Sequence, residues 1–562
     1  MPSLAQYFSD RALVQFLCRR RIEAAVSNRR EHFLSSAALD TAHRWKDTDL
    51  QRLLPPRRQW PRLDKRGRAV GGHAAQAARA SLLASYVLTR LAKAPNAAWV
   101  YRLRAFIDKV RHDAVNWNRA RSFPYRRLAA IPKDKPGSGR KYRLLTIYGL
   151  EEAAIAHGFS NYLRERLEPM LGEHCLAFRA RQPDGRSLKH HDGIRVVWQY
   201  AASRGSTNSA AALFVAECDI RGFFDQIRHS VLRRQLMHVL KKNAQPHDEL
   251  LVEFAESFLN SYTFSHARAS AVQALATQHI HGPKIGEAAT TAARIGIPQG
   301  SAFSCVLANV VLLAADRALQ RNHDYKDALY VRYCDDIVIL HPARTACDRL
   351  LQVYLDALGR LKLPAHPPVR VGRYGRKFWQ GKSKWAYKWA DDGKPRSVPW
   401  FSFVGYQLRR NGAIRARSSS ILKEVAKQRR VVNHILGRLE QKGHSGGHVV
   451  SRNLPSVLFR ARMHMSAFGV GYPAPFTVIP KPDGLCWTNG FVTLRELGPL
   501  KQNIAALDRG RSTAISRIVG RLLGLKDTGK LTFMTAKTNK KLPGHIDYLG
   551  WPLCYWRQFV EF

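Results

Sequence analysis

Residues 330–340 read YVRYCDDIVIL. Two adjacent carboxylates stand between apolar, β-branched runs of the kind that form buried strands. A buried carboxylate is costly unless it is paired, hydrogen-bonded or bound to a metal. The pattern predicts a β-hairpin whose tip, Cys334, Asp335 and Asp336, holds both carboxylates at one end of a buried sheet. One more carboxylate at a neighbouring strand end would complete a two-metal site. Asp219 is placed for this, because it follows the apolar strand ALFVAEC and precedes an expected helix. An oxygen-only ligand set suits Mg2+, which takes one or two carboxylates and completes its shell with water and substrate phosphates. Two such ions about 4 Å apart clamp the attacking and leaving oxygens of an in-line phosphoryl displacement.

The chain that must position these groups has 562 residues and is 45% hydrophobic, enough for several domains with real cores. Its 91 Lys and Arg against 42 Asp and Glu give a formal net charge of +49. Such an excess repels itself unless a polyanion offsets it, and nucleic acid is favoured over acidic lipid as that partner. Eight cysteines are scattered with no C-x-x-C pair, which argues against a zinc ribbon or finger and fits a reducing compartment. The start, MPSLAQYFSDRALVQFLCRRR, has no apolar signal-peptide core, and the apolar stretch 302–315 contains Ser and Asn and is too short to span a bilayer. The expected location is the cytoplasm, with no membrane partner.

Apolar residues recur at helical spacing over 74–94, and residues 1–120 read as a basic helical region. Residues 131–147 read as strand, Pro/Gly loop and strand, followed by an amphipathic helix over 149–171. Residues 293–319 run from a Gly/Pro turn into a helix. Residues 400–414 read as a strand pair with Asn411-Gly412 as the turn signal. From 401 to 470 there are 13 Lys or Arg and only 2 Asp or Glu, in helix-like sequence suited to gripping a duplex. A last clear helix is expected over 497–524, and the helical, His-rich stretch 240–290 offers no chemistry of its own.

Taken in order, these segments resemble the reverse transcriptases. YCDD resembles their Tyr-x-Asp-Asp box, and DIRGFFD (219–225) resembles their first catalytic box in its group II intron form. GIPQGSAFSCVLAN (296–309) resembles the Pro-Gln-Gly box, FSFVGY (401–406) the primer-grip strands, and IPKDKPGSGRKYRLLTI (131–147) the fingers segment. CLAFRARQPDGRS (175–187) is a looser version of a further family segment. The resemblance covers roughly 130–410.

The resemblance implies an α+β right-hand polymerase of fingers, palm and thumb with helical N- and C-terminal extensions. The implied division is 1–120 as a basic helical region, 121–408 as fingers and palm, 409–480 as thumb and 481–562 as a helical extension. It further implies that Asp219, Asp335 and Asp336 bind two Mg2+ ions, or Mn2+, with help from the Ile220 carbonyl. Phe224 matches the steric gate that excludes a 2'-hydroxyl. Gln299 and Gly300 are expected against the incoming nucleotide, Lys133 and Arg143 at its triphosphate, and Tyr333 near the primer end. Asp225 is expected to be a helix N-cap and His229 a structural residue. Either Lys382 or Lys384 is the candidate general acid.

The chain departs from the family in having Cys334 as the variable residue of its box and a long segment between Asp219 and Gln299. It lacks an endonuclease box and an evident RNase H set. A core of this kind with helical flanks is most similar to bacterial defence-associated enzymes. The implied activity is DNA synthesis from deoxynucleoside triphosphates on an RNA template, with a dedicated noncoding RNA, self-association or a second reverse transcriptase as open partners. The alternatives are a template-independent or protein-primed DNA polymerase, an RNA-dependent RNA polymerase, and a non-catalytic RNA scaffold.

Overall fold

The computed structural model describes residues 3–37, 48–63, 72–93, 96–133, 141–180, 188–204, 213–241, 244–261, 296–371, 376–394, 396–444, 448–450, 494, 497, 501–529 and 531–533. The chain divides into two compact units, one of residues 1–16, 102–404 and 409–411, the other of 17–101, 405–408 and 412–562. These are not consecutive segments of chain. Residues 3–16 and 102–120, expected in a separate N-terminal region, belong to the unit that carries the main sheet.

In that unit, strands β1 (Tyr125–Lys133) and β2 (Lys141–Tyr148) form the expected antiparallel pair. Helices α1 (Leu150–Leu167) and α2 (His190–Ser203) lead to strand β3 (Leu213–Cys218). Among the described residues four helices follow: α3 (Phe223–Gln226), α4 (His229–Lys241), α5 (Asp248–Asn260) and α6 (Ala302–Gln320). Most of the expected insertion beyond α5, residues 262–295, lies outside the described residues. The hairpin of β4 (Leu329–Tyr333) and β5 (Asp336–His341) is followed by helices α7 (Arg344–Arg360) and α8 (Arg376–Gln380). Strands β6 (Lys384–Trp389), β7 (Ser397–Val398) and β8 (Trp400–Phe403) end this part of the chain.

The sheet has the order β4-β5-β3-β6-β7 and is antiparallel except between β6 and β7. β3 and β5 are buried along nearly their whole lengths, which is why they read as apolar runs rather than as alternating strands. Helix α7 packs on β3, β5 and β6, and α2 packs on β4. Helix α6 packs on α1, α4 and α7. It runs on to Gln320, beyond the apolar stretch 302–315, and so becomes long and apolar enough to cross a bilayer. Most of it is instead buried inside the protein, as befits a central core helix.

Helix α6 and strand β4 are joined by a buried ion pair. Arg332 and Asp316 are both fully buried, and the guanidinium grips the carboxylate with two bonds, Nε to Oδ1 at 2.9 Å and Nη2 to Oδ2 at 2.6 Å. Tyr330 donates its hydroxyl to Asp316 Oδ1 at 2.7 Å. The remaining arm, Arg332 Nη1, reaches Asn309 Oδ1 at 2.9 Å and the Cys334 carbonyl at 3.3 Å. Asn309 in turn donates to the Ala177 carbonyl at 2.8 Å. Segment 174–176 completes the tie through backbone bonds to Arg332 in both directions.

In the second unit, helices Gly72–Lys93 and Lys501–Asp527 agree with the expected positions to within a few residues. Helix Ser418–His444 packs on Lys501–Asp527. The latter buries Leu507, Ala514, Ile518, Leu522 and Leu525, the recurrence of one helical face. Strand Ile414–Ala416 pairs with residues 406–408 across a loop containing Asn411 and Gly412. Residues 451–480 of the expected thumb, and 481–493 and 534–562 of the expected extension, lie outside the described residues.

Burial disfavours the charged form of Asp316, yet Arg332 and His174 together hold its carboxyl well below the ordinary carboxylate range. The pair therefore stabilises the fold fully above the ordinary carboxylate range. Its contribution is lost as pH falls below that range through the folded-state value. Asp316→Ala leaves Arg332 buried and unpaired, and is expected to destabilise this unit by about 3–5 kcal/mol. Urea unfolding at neutral pH measures the loss, and the same titration repeated below pH 4 should show wild type and variant converging.

Candidate active site

Strands β4 and β5 pair as far as Tyr333 and Asp336, which leaves Cys334 and Asp335 as a two-residue turn. Cys334 is left-handed (φ 61°), a conformation tight hairpins require and which costs a non-glycine residue about 1 kcal/mol or more. The bond from Arg332 to the Cys334 carbonyl fixes that turn from beneath. Asp335 is half-buried. Burial pushes its carboxyl up and the nearby charge of Asp219 pushes it further, against the lowering effects of its own backbone N–H, the Cys334 thiol and Lys382. Burial likewise pushes up the Cys334 thiol.

The hairpin tip thus differs from the expected cluster of three. Asp336 belongs to β5, opposite Tyr333, and is exposed, whereas Asp335 is in the turn beside Asp219. Among the described residues no group of three or more His, Cys, Asp or Glu is gathered as a metal-ligating set.

Asp219 is the residue after β3. One step past the Cys218–Ile337 pair, the register brings Asp219 level with Asp336 and Ile220 level with Asp335. Its backbone is held on the β6 side. The Asp219 N–H donates to the buried Ser383 hydroxyl at 3.0 Å, and the Asp219 carbonyl accepts from the His366 N–H at 2.9 Å. Arg221 N–H donates to Pro364, so Ile220 and Ala365 face each other as a bridge between these two bonds. Backbone groups alternate sides along an extended chain, so the Ile220 carbonyl turns away from Ala365 toward the β5 side, where the turn lies. Two carboxylates and this carbonyl are hard oxygen donors of the kind Mg2+ takes when substrate phosphates complete its shell. The residues fit the ion.

The two candidate lysines separate cleanly. Lys382 is exposed, and its Nζ lies 2.7 Å from Asp219 Oδ2. Lys384 is buried on β6 opposite Glu217, with its Nζ 2.6 Å from Glu217 Oε2. Tyr387 donates its hydroxyl to the other Glu217 oxygen at 2.5 Å. Lys384 is thereby committed to the core, and Lys382 is the lysine at the site.

Beyond Asp219, the chain turns at Gly222 (φ 53°), which caps α3. The cap is therefore Gly222 and not Asp225, because the helix begins three residues earlier than the expectation for Asp225 required. Phe223 is buried, and Phe224 beside it is half-buried. The Phe224 carbonyl accepts from the Ile297 N–H at 2.8 Å, which ties the 219–225 segment to the one leading into α6. His229 is buried with its Nε2 2.7 Å from the Gly296 carbonyl, a structural role. The Gln299 side chain donates to Asp225 Oδ1 at 3.1 Å, and the Gln299 carbonyl accepts from the Thr146 N–H of β2 at 2.6 Å. Gly300 (φ 117°) approaches so closely that a Cβ there would lie 2.5 Å from the Thr146 carbonyl oxygen, so only glycine fits.

Tyr333 is half-buried with its ring edge-on to His190 at 6.0 Å. Lys133 ends β1 and Arg143 lies opposite Ile131 on β2, which puts both on the hairpin whose far end touches Gln299. Ser383, Thr146 and the Arg332–Asp316 pair were not singled out by the sequence. Only Arg332 carries a signal, as a charge in the middle of an apolar strand.

Residues 141–367 match the family model for reverse transcriptase (RNA-dependent DNA polymerase). The matched segment is less than half of the chain. The matching model is that of RNA-directed DNA polymerases, which are nucleotidyltransferases. Residues before 141 and after 367 lie outside the match. No curated protein matches the chain. Among solved structures, apo telomerase from Candida tropicalis truncated from its C-terminal domain is similar with TM-score 0.28 and 11% identity, over 50% of this chain and 53% of that one. Telomerase from Candida albicans in complex with the TWJ fragment of telomeric RNA gives 0.31 and 12%, over 76% and 65%. Apo telomerase from Candida tropicalis gives 0.36 and 8%, over 86% and 76%. The chain spans about half the length of the first of these.

Ser383, one residue before β6, supports the backbone of Asp219 from the side of that strand. Removing such a support typically weakens a metal site by about 10- to 100-fold. Ser383→Ala is expected to shift the Mg2+ dependence of nucleotide incorporation to higher concentration by roughly that factor. Ser383→Thr, which keeps the hydroxyl, is expected to leave it near wild type.

Proposed function

We propose that the chain is an RNA-directed DNA polymerase that extends a primer with deoxynucleoside triphosphates. The observation that carries this reading is the convergence of Asp219 and Asp335, with Phe224 and Gln299 fixed on the segments beside them. In this reading the β4-β5-β3-β6-β7 sheet is the palm, the β1–β2 hairpin belongs to the fingers, and helix Ser418–His444 belongs to the thumb.

The primer 3'-hydroxyl attacks the α-phosphate and gives up its proton to water, the new P–O bond forms as the α–β bridging bond breaks, and pyrophosphate leaves. Bound Mg2+, or Mn2+ in its place, supplies Lewis acidity at the phosphates when present. Asp219 and Asp335 would hold the ion, with the Ile220 carbonyl as a further donor and Asp336 on the exposed flank. Lys382 is close enough to the site to deliver a proton to the leaving pyrophosphate. The Phe224 ring closes the floor under the sugar. Lys133 and Arg143 neutralise the triphosphate, Gln299 and Gly300 line the nucleotide, and Tyr333 lies at the primer end. The net charge of +49 suits an RNA template and the duplex it forms, with steep salt dependence. The basic helical flanks favour a bacterial defence enzyme that works in the cytoplasm with a dedicated noncoding RNA.

The purified chain, with its co-purifying nucleic acid, is expected to incorporate labelled deoxynucleotides in Mg2+. Asp335→Asn or Asp219→Asn is expected to lower incorporation by at least about a thousandfold. Phe224→Ala is expected to raise ribonucleotide use relative to deoxynucleotide by about 10- to 100-fold. Ribonucleotide incorporation alone by wild type would identify an RNA polymerase instead, and RNA binding with no incorporation a scaffold.

A further inference from the structure

Gln299 is held at both ends. Its carbonyl accepts from Thr146, and its side-chain nitrogen donates to Asp225. An ionised carboxylate can only accept, so the amide must turn its NH2 toward Asp225 and its oxygen away from it. Among the described residues the Gln299 Oε1 atom has no hydrogen-bond partner. Asp225 is the residue after Phe224, and Phe224 is bonded through its carbonyl to Ile297, two residues before Gln299. That amide oxygen, without a partner among the described residues, belongs to the corner where the proposed gate meets the start of α6.

We infer that Asp225 is a positioning residue that sets the orientation of the Gln299 amide, so that an acceptor oxygen and not a donor NH2 meets the bound nucleotide. This rests on the nucleotide-binding reading of the site. An acceptor there suits a hydroxyl of the nucleotide sugar, whereas a flipped amide would present NH2 and lose that bond. The carboxylate thus acts through Gln299 and need not touch substrate. It is a consequence of the chain's own geometry that the residue expected to cap a helix orients the neighbouring box instead.

Single-nucleotide incorporation by the full chain tests this in four variants. A hydrogen bond to a charged group is worth roughly 1.5–3 kcal/mol, or about 10- to 100-fold in an equilibrium. Asp225→Ala is expected to raise KM for deoxynucleotides by about tenfold or more, with a smaller change in kcat. Gln299→Ala should do the same, and the double variant should be no worse than either alone, because both remove one interaction. Asp225→Asn, whose amide can accept from Gln299 but can also donate and so no longer dictates its orientation, should fall between wild type and Asp225→Ala. Preference for deoxy- over ribonucleotides, which Phe224 sets, should be unchanged in all four. Multiplying effects in the double variant, or Asp225→Asn no better than Asp225→Ala, would overturn the inference while leaving the polymerase reading intact. Failure of wild type to incorporate any nucleotide would overturn both.

Discussion

The Arg332–Asp316 pair is the constraint on which the rest of the domain depends. Both groups are fully buried, so neither can be removed alone without stranding a charge in the core. The guanidinium uses every arm. Two bonds hold helix α6, a third reaches Asn309 and through it the 174–177 segment, and a fourth reaches the Cys334 carbonyl in the turn that presents Asp335. A planar fork of fixed geometry is what such a task requires, and a lysine could not meet four partners at once. The hairpin tip is therefore positioned by a core helix and not by its own turn alone.

Around that tip the sheet assigns different work to residues that look alike in the sequence. Lys382 and Lys384 are two positions apart, yet one meets Asp219 in solvent and the other is sealed against Glu217 and Tyr387. The difference follows from strand geometry, because Lys384 opens β6 and faces Glu217 across the ladder while Lys382 precedes it. Asp335 and Asp336 diverge for a similar reason. One is the second residue of the turn, and the other has already joined β5.

Much of this was legible in the sequence. Apolar runs punctuated by acidic ends located β3 and the β4–β5 hairpin, and the Pro/Gly signals located the β1–β2 pair and the start of α6. Helical periodicity located the long helices of the second unit. What could not be read were contacts made across large separations in the chain. Ser383 is a small polar residue like many others until β6 pairs with β3 and puts its hydroxyl under Asp219. Asp225 has the residue type of a cap, and only the left-handed Gly222 releases it for Gln299. The compact units escaped the sequence too, since distant segments join the same core.

The contact between Thr146 and the Gln299–Gly300 turn has a mechanical meaning. It joins the base of the β1–β2 hairpin to the first residues before α6 through a backbone bond that no side-chain change can tune, with no room for a Cβ between them. The hairpin is then a lever whose fulcrum is the Gln299–Gly300 turn itself. A tilt of its outer end, where Lys133 lies, is geared directly to Gln299 and need not be relayed through the sheet.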